Sequence, residues 1–168
     1  MFVPFDSLSP TSRIWIFQAN RPFSPDERQL VEKTLRDFTE GWAAHGSPLK
    51  TSFTVKYDQF IILAADETHE TPSGCSIDSS VRVLKALEHD HGVQLFDRNL
   101  IAFKSDGGIE LIPFQDLKQK FKDGILNQGT LTFNNLVGTK SALEHDWLVP
   151  ADKTWLKRYI PNELAKVK

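Results

Sequence analysis

Apolar side chains recur along this chain in two periods, and the switches between them mark its elements. Ile14-Trp15-Ile16-Phe17 is a continuous apolar run of β-branched and aromatic residues, which suits a strand buried on both faces. Val31, Leu35, Phe38 and Trp42 then step by four, three and four, the stripe of an amphipathic helix. Ser24-Pro25-Asp26-Glu27 opens that helix. Ser24 is placed to accept from the N–H of residue 27, Pro25 fits the first helical position, and Glu27 can reach back to the N–H of Ser24. Gly46, with Pro48 just beyond it, is expected to close the helix.

Phe53, Val55 and Tyr57 alternate with Thr54 and Lys56, which predicts a half-exposed strand. Asp58-Gln59 turns the chain into Phe60-Ile61-Ile62-Leu63-Ala64-Ala65, a second fully buried strand. After a loop from Asp66 to Gly74, Ile77, Val81, Leu84 and Leu87 define a second helix, with Ser76 as its expected N-cap and Gly92 at its end. Leu100 to Phe103 and Ile109 to Ile112 flank Ser105-Asp106-Gly107-Gly108, a hairpin signal. Beyond it, Phe114, Leu117 and Phe121 suggest a short helix, and Leu131 and Phe133 a last strand. Thr139 and Asp152 are candidate caps of two further short helices, the second carrying Trp155, Leu156 and Tyr159.

The order strand, helix, strand, strand, helix, strand predicts an α+β fold, a ferredoxin-like βαββαβ sandwich with a mostly helical C-terminal extension. Residues 1–12 read as an irregular arm, and residues 13–168 as a single domain with its core in 13–113 and the extension in 114–168. The pentapeptide Ala86-Leu87-Glu88-His89-Asp90 returns as Ala142-Leu143-Glu144-His145-Asp146. The flanks share almost nothing, so two helix ends of similar composition account for it.

Composition narrows the function classes. The 168 residues carry 20 basic and 22 acidic side chains, for a formal charge of −2. No global field draws the chain to nucleic acid or an anionic membrane. Arg21, Lys50, Lys56, Arg82 and Lys104 are scattered, and Lys118, Lys120 and Lys122 read as a solvated helix face. The sequence therefore argues against a nucleic-acid partner, with an RNA-binding module as the weakest alternative. No apolar run is long enough to span a bilayer, and the N-terminus lacks the basic start and apolar stretch of a secretory signal. A single cysteine excludes an intrachain disulfide. These features set the expectation of a cytoplasmic protein.

The chemistry-bearing residues gather after the second buried strand. Asp66, His69, Cys75, Ser76, Asp78 and Arg82 form the candidate site. A helix N-terminus stabilises a thiolate, and His69 is close enough in sequence to serve Cys75 as a base if the loop folds back. The competing reading makes Cys75 a small apolar residue seating the helix, with Ser76 and Asp78 as capping groups. In the expected topology the end of the third strand lies beside the start of the first strand and the end of the first helix. Asp66, His69 and Cys75 then approach Arg13, His45 and Lys50, and Gln18, Asn20 and Arg21 lie at the opposite end. A different strand order would instead bring Asn20 and Arg21 to Cys75.

Asp66-Glu67-Thr68-His69-Glu70 and His89-Asp90-His91 contain ligand residue types without the spacing of a metal site, so no metal or cofactor is expected. Gly74-Cys75-Ser76-Ile77-Asp78 has a glycine on one side only and is not a nucleophile elbow.

Three segments carry a resemblance: Arg13-Ile14-Trp15-Ile16-Phe17-Gln18-Ala19-Asn20-Arg21, Ser73-Gly74-Cys75-Ser76-Ile77-Asp78-Ser79-Ser80-Val81-Arg82, and Phe133-Asn134-Asn135-Leu136-Val137. In these the chain resembles a small uncharacterised bacterial family whose members often carry the label "ABC transporter ATPase". The label implies nucleotide binding, yet the residues such binding needs are missing. A phosphate loop requires Gly-x-x-x-x-Gly-Lys-Ser/Thr. The nearest segment, Gly138-Thr139-Lys140-Ser141, separates the glycine from the lysine and has Phe133 where the first glycine belongs. The sequence thus favours an interaction or ligand-binding protein without ATPase activity, with a homodimer joined through exposed sheet edges as one form of it. A small enzyme built on Cys75 is the alternative.

Overall fold

In the computed structural model residues 1–162 are described. The elements run β1 (Arg13–Gln18), α1 (Pro25–Gly41), β2 (Ala43–Ala44), β3 (Ser47–Pro48), β4 (Lys50–Lys56), β5 (Phe60–Asp66) and α2 (Gly74–His91). They continue with β6 (Leu100–Ser105), β7 (Gly108–Pro113), α3 (Leu117–Lys122), β8 (Leu131–Phe133), α4 (Lys140–Asp146) and β9 (Leu148–Pro150). The fold is α+β, with antiparallel sheets. It divides into two units. The first is Met1–Asp97 with Val137–Glu144, and the second is Arg98–Leu136 with the chain from His145 onward.

In the first unit β5 lies between β1 and β4 and is antiparallel to both. All seven residues of β5 are buried, the first six as their unbroken apolar run requires and Asp66 as its one charged member. On one face of this sheet Trp15, Phe17, Phe53, Val55, Ile61 and Leu63 pack with Val31 and Leu35 of α1 and Leu84 and Leu87 of α2. The expected cap of α1 is present, since Ser24 Oγ accepts from Glu27 N at 3.2 Å. Glu27 does not complete a reciprocal box. Its carboxylate turns to Arg21 at 3.1 Å, because an ion pair is available there.

Helix α1 stops at Gly41, five residues before the expected Gly46. Trp42 leaves the helical path in an extended conformation. Its indole is buried against Phe38 and Trp15, with centroids 5.0 and 5.7 Å away, and its Nε1–H donates to the Ser76 carbonyl at 2.8 Å. Continued helix would carry the ring away from that acceptor. His45 and Gly46, both with positive φ, instead make the tip of the small β2–β3 hairpin.

The hairpin between β4 and β5 also turns on positive-φ residues, Tyr57 and Asp58. Asp58 pairs with Arg28, which also binds Glu32 at 2.9 Å, so the tip is tied to α1. Next to it, buried Gln59 donates Nε2–H to Ala19 O at 3.0 Å and accepts from Ala19 N at 2.8 Å through its own backbone carbonyl.

The N-terminal arm is ordered where the sequence suggests irregular chain. Phe2 bridges Thr51 in parallel, Val3 N donates to Thr51 O, and the Met1 amine donates to Leu49 O at 2.7 Å. The arm therefore lines the outer edge of β4. The outer edge of β1 receives Gly138 O on Ile14 N at 3.0 Å, with Arg13 bridging Thr139. The strand expected as fourth member of this sheet, at 100–103, is absent from it. As β6 it pairs in register with β7 from Leu100↔Pro113 to Ser105↔Gly108. Its other edge is taken by β8, with Phe103 opposite Thr132 and Lys104 opposite Leu131.

The second unit is built on the sheet β7–β6–β8–β9. Phe103 and Ile112 pack with Leu117 and Phe121 of α3 and with Leu126, Ala151 and Leu156. The part beyond residue 113 is mostly helical, as expected, but it also supplies the short strands β8 and β9. Three-residue strands are too short to show a period, which is why β9 is silent in the sequence. β6 and β7, which the sequence reading counts with the core, share a sheet with β8 and β9, and the two units divide between Asp97 and Arg98. Trp155–Tyr159 is a 3-10 helix capped by Thr154 rather than by Asp152.

The Trp42 contact yields a stability prediction. Trp42→Phe keeps an aromatic ring but removes the N–H and part of the ring volume. It is expected to lower unfolding stability by about 1–3 kcal/mol in denaturant titration, whereas Leu30→Ala on the exposed side of α1 should change it by less than about 0.5 kcal/mol.

Candidate functional site

The sequence-selected residues occupy one end of the first unit, where β5 runs out beside the starts of β1 and β4. The register sets Arg13 opposite Ala65 and Lys50 opposite Asp66. Lys50 Nζ lies 3.6 Å from Asp66 Oδ2, and Arg13 Nη1 lies 3.6 Å from Glu67 Oε1. The Asp66 side chain is only 8% exposed. Its Oδ1 accepts from Thr68 N at 3.0 Å and from the Thr68 hydroxyl. The Thr68 hydroxyl, then the Thr68 amide, and more weakly Lys50 hold this carboxyl below the usual carboxylate range, and they outweigh the opposing effect of burial. Asp66 is therefore an ionised residue that closes a turn and neutralises a lysine.

The remaining members do not join it through bonds. Ser73, not Ser76, is the N-cap of α2: its Oγ accepts from Ser76 N at 3.2 Å. The helix begins early, so the expected cap lies inside its first turn. Ser76 is buried, donates its hydroxyl to Ser73 O at 2.7 Å and gives its own carbonyl to Trp42. Cys75 is a free, exposed thiol in that first turn. His69 is exposed in the preceding loop, and Asp78 and Arg82 lie on α2, neither of them buried. Among the described residues no hydrogen bond or ion pair connects Cys75, His69, Asp78 or Arg82 to one another. His45 sits at the β2–β3 tip and is likewise not bonded to this group. Also among the described residues, no cluster of three His, Cys, Asp or Glu side chains is arranged to hold a metal ion, and no helix is long and apolar enough to cross a membrane.

Asn20 and Arg21 lie at the opposite end, with the C-terminus of α2. Arg21 Nη2 donates to His91 O at 2.7 Å. Asn20 Oδ1 accepts from Gln94 N at 2.9 Å, and Asn20 N donates to Gln94 O at 3.1 Å. Gly92, with φ of 61°, lets the chain leave the helix there, and Val93 N returns to Glu88 O. A guanidinium on a terminal helical carbonyl is structural chemistry.

The residue that sequence reasoning misjudges is Lys140. It is 7% exposed, and its ammonium donates to Leu8 O at 3.1 Å and Asp6 O at 3.3 Å while pairing with Glu144 at 3.5 Å. Its sequence neighbours Gly138 and Thr139 make it look like part of a loop. The available signal is Glu144, four residues on, which marks a helix and an ion pair.

The state of Asp66 predicts an acid-dependent loss of stability. Because its folded pKa lies below the unfolded value of about 3.9, its contribution is complete above that value and disappears as pH falls through the lower folded value. Asp66→Asn is expected to cost about 1 kcal/mol at neutral pH. The gap between variant and parent in urea midpoints should close as the pH is taken down to about 2, and a constant gap would refute the assignment. Compared with protein families, with curated proteins and with solved structures, the chain matches none.

Proposed function

We propose that this chain is a cytoplasmic binding protein, an interaction or ligand-binding module without ATPase activity. One observation carries the reading. The only lysine in the segment nearest to a phosphate loop, Lys140, is buried and directs its ammonium to two backbone carbonyls and Glu144. A phosphate-binding lysine must present a free ammonium beside a cradle of backbone N–H groups. Here Lys140 N donates to Ser12 O and Ser141 N to Pro10 O, so those amides are also engaged. The resemblance to proteins labelled as transporter ATPases therefore carries no nucleotide chemistry with it.

The first unit supports a ferredoxin-like ancestry in part. Its β1-α1-β4 crossover around an antiparallel β5 is one split β-α-β half of that arrangement, with Gly138 and Thr139 on the edge where a fourth strand would lie. Because the chain itself contacts both outer edges of this sheet, binding through them is less favoured than binding through side-chain surfaces. A nucleophilic Cys75 gains exposure but no bonded base.

Isothermal titration with ATP and magnesium is the deciding measurement. No heat of binding is expected with nucleotide up to about 1 mM, a concentration that would reveal even weak sites. Micromolar affinity would overturn the reading.

A further inference from the structure

The ion pairs of this protein are unevenly distributed. In the first unit seven of the ten Lys and Arg side chains are paired with carboxylates. In the second unit, among the described residues, not one of the eight Lys and Arg side chains has an ion-pair partner. The formal charge of −2 conceals this difference. Unpaired cations are concentrated on two segments that pack together through a shared aromatic cluster. Phe114–Lys122 and Ala151–Tyr159 carry six Lys or Arg side chains against two carboxylates, Asp116 and Asp152.

Between these cations lies an aromatic ladder that rises from core to solvent. Phe121 is buried and stacks on Tyr159, with centroids 6.4 Å apart and planes at 15°. Tyr159 meets Phe114 and Trp155 edge-on at 6.3 and 6.1 Å. Phe114 stacks on Trp155 at 6.0 Å and 24°, yet it is 48% exposed. Folding does not account for that exposure, because Phe121 already fills the core position beneath the ladder. The Arg158 guanidinium stands 5.9 Å over the Trp155 ring. Among the described residues the Trp155 indole N–H and the Tyr159 hydroxyl have no hydrogen-bond partner, so the ladder also offers two polar groups to a ligand.

From this geometry we infer that the Phe114–Trp155–Tyr159 surface, with Arg158, Lys118 and Lys157, binds single-stranded nucleic acid. The exposed Phe114 ring, backed by half-buried Trp155 and Tyr159, accepts a base by stacking, unpaired cations track the phosphates, and the polar groups are available to base edges. A duplex hides its base faces and would use only the cations. An acidic peptide would likewise leave the rings unused. The inference rests on the reading of the protein as a binding module, and it fails separately: a flat ATP titration with no oligonucleotide binding would overturn the nucleic-acid assignment alone.

The test is fluorescence anisotropy of labelled oligo-uridine and oligo-deoxythymidine of about 12 nucleotides at low salt. Binding of either with a dissociation constant below about 100 µM, weakening with added salt, is expected. Phe114→Ala should weaken it by about 5-fold or more while the protein keeps a cooperative, only slightly lowered thermal melt, since about half of that side chain is exposed. Lys118→Glu and Arg158→Glu should each weaken it and flatten the salt dependence. Absence of binding by both oligonucleotides, equal affinity for a duplex or polyglutamate, or insensitivity to Phe114→Ala would each overturn the inference.

Discussion

The indole N–H of Trp42 reaching the Ser76 carbonyl is the contact around which the first unit is organised. It needs three conditions at once. Helix α1 must end at Gly41 so that the ring can swing out, α2 must turn the Ser76 carbonyl, which also accepts from the Ser79 hydroxyl, toward it, and β1 must offer Trp15 as a wall. Ser76 is small and polar for that reason. A larger side chain would hold the two helices apart, and its hydroxyl is already turned to Ser73 O. The same bond ties the first turn of α2, which carries Cys75, to the end of α1.

The elements are legible in the sequence wherever a period runs for several residues. Ile14–Phe17, the α1 stripe from Val31 to Phe38 and Phe60–Ala65 all lie where their patterns put them, and Ser24 caps as its position implies. Pairing is less legible, because it depends on competition between distant segments. Leu100–Phe103 has the composition of a fourth strand for either sheet. Its hairpin with β7 is announced by Ser105–Gly108, but its other edge goes to β8 and not to β1, a choice between distant partners that the strand itself does not record. The order of the arm is hidden for a related reason. Met1–Val3 contributes backbone to an edge, and edge pairing leaves no side-chain signature.

The candidate site separates into parts with different legibility. Strand order alone implies that Asp66 meets Lys50 with Arg13 close by, and the ion pairs at this end of the sheet agree. The apparent chemistry around Cys75 is local hydrogen bonding: Ser73 caps the helix, and Ser76, Ser79 and Ser80 each donate the hydroxyl to the carbonyl three residues back. Helix termini and catalytic loops draw on the same residue types, because both need short side chains carrying oxygen. Only the directions of the bonds distinguish them.

Lysine shows why composition misleads most about charge. Lys140 lies buried against the carbonyls of the arm, and Lys50 and Lys85 pair with carboxylates. Lys118 and Lys157 stand in solvent beside an aromatic cluster with nothing among the described residues to neutralise them. A net charge averages these situations into one small number. The potential that a polyanion meets is local, decaying over roughly 10 Å at moderate ionic strength, so it is set by the unpaired cations of the second unit and hardly at all by the ion-paired surface of the first. The chain's near-neutrality therefore argues against long-range attraction, not against a local anionic partner. Stacking on Phe114 would be the short-range term that such a partner needs once it has arrived.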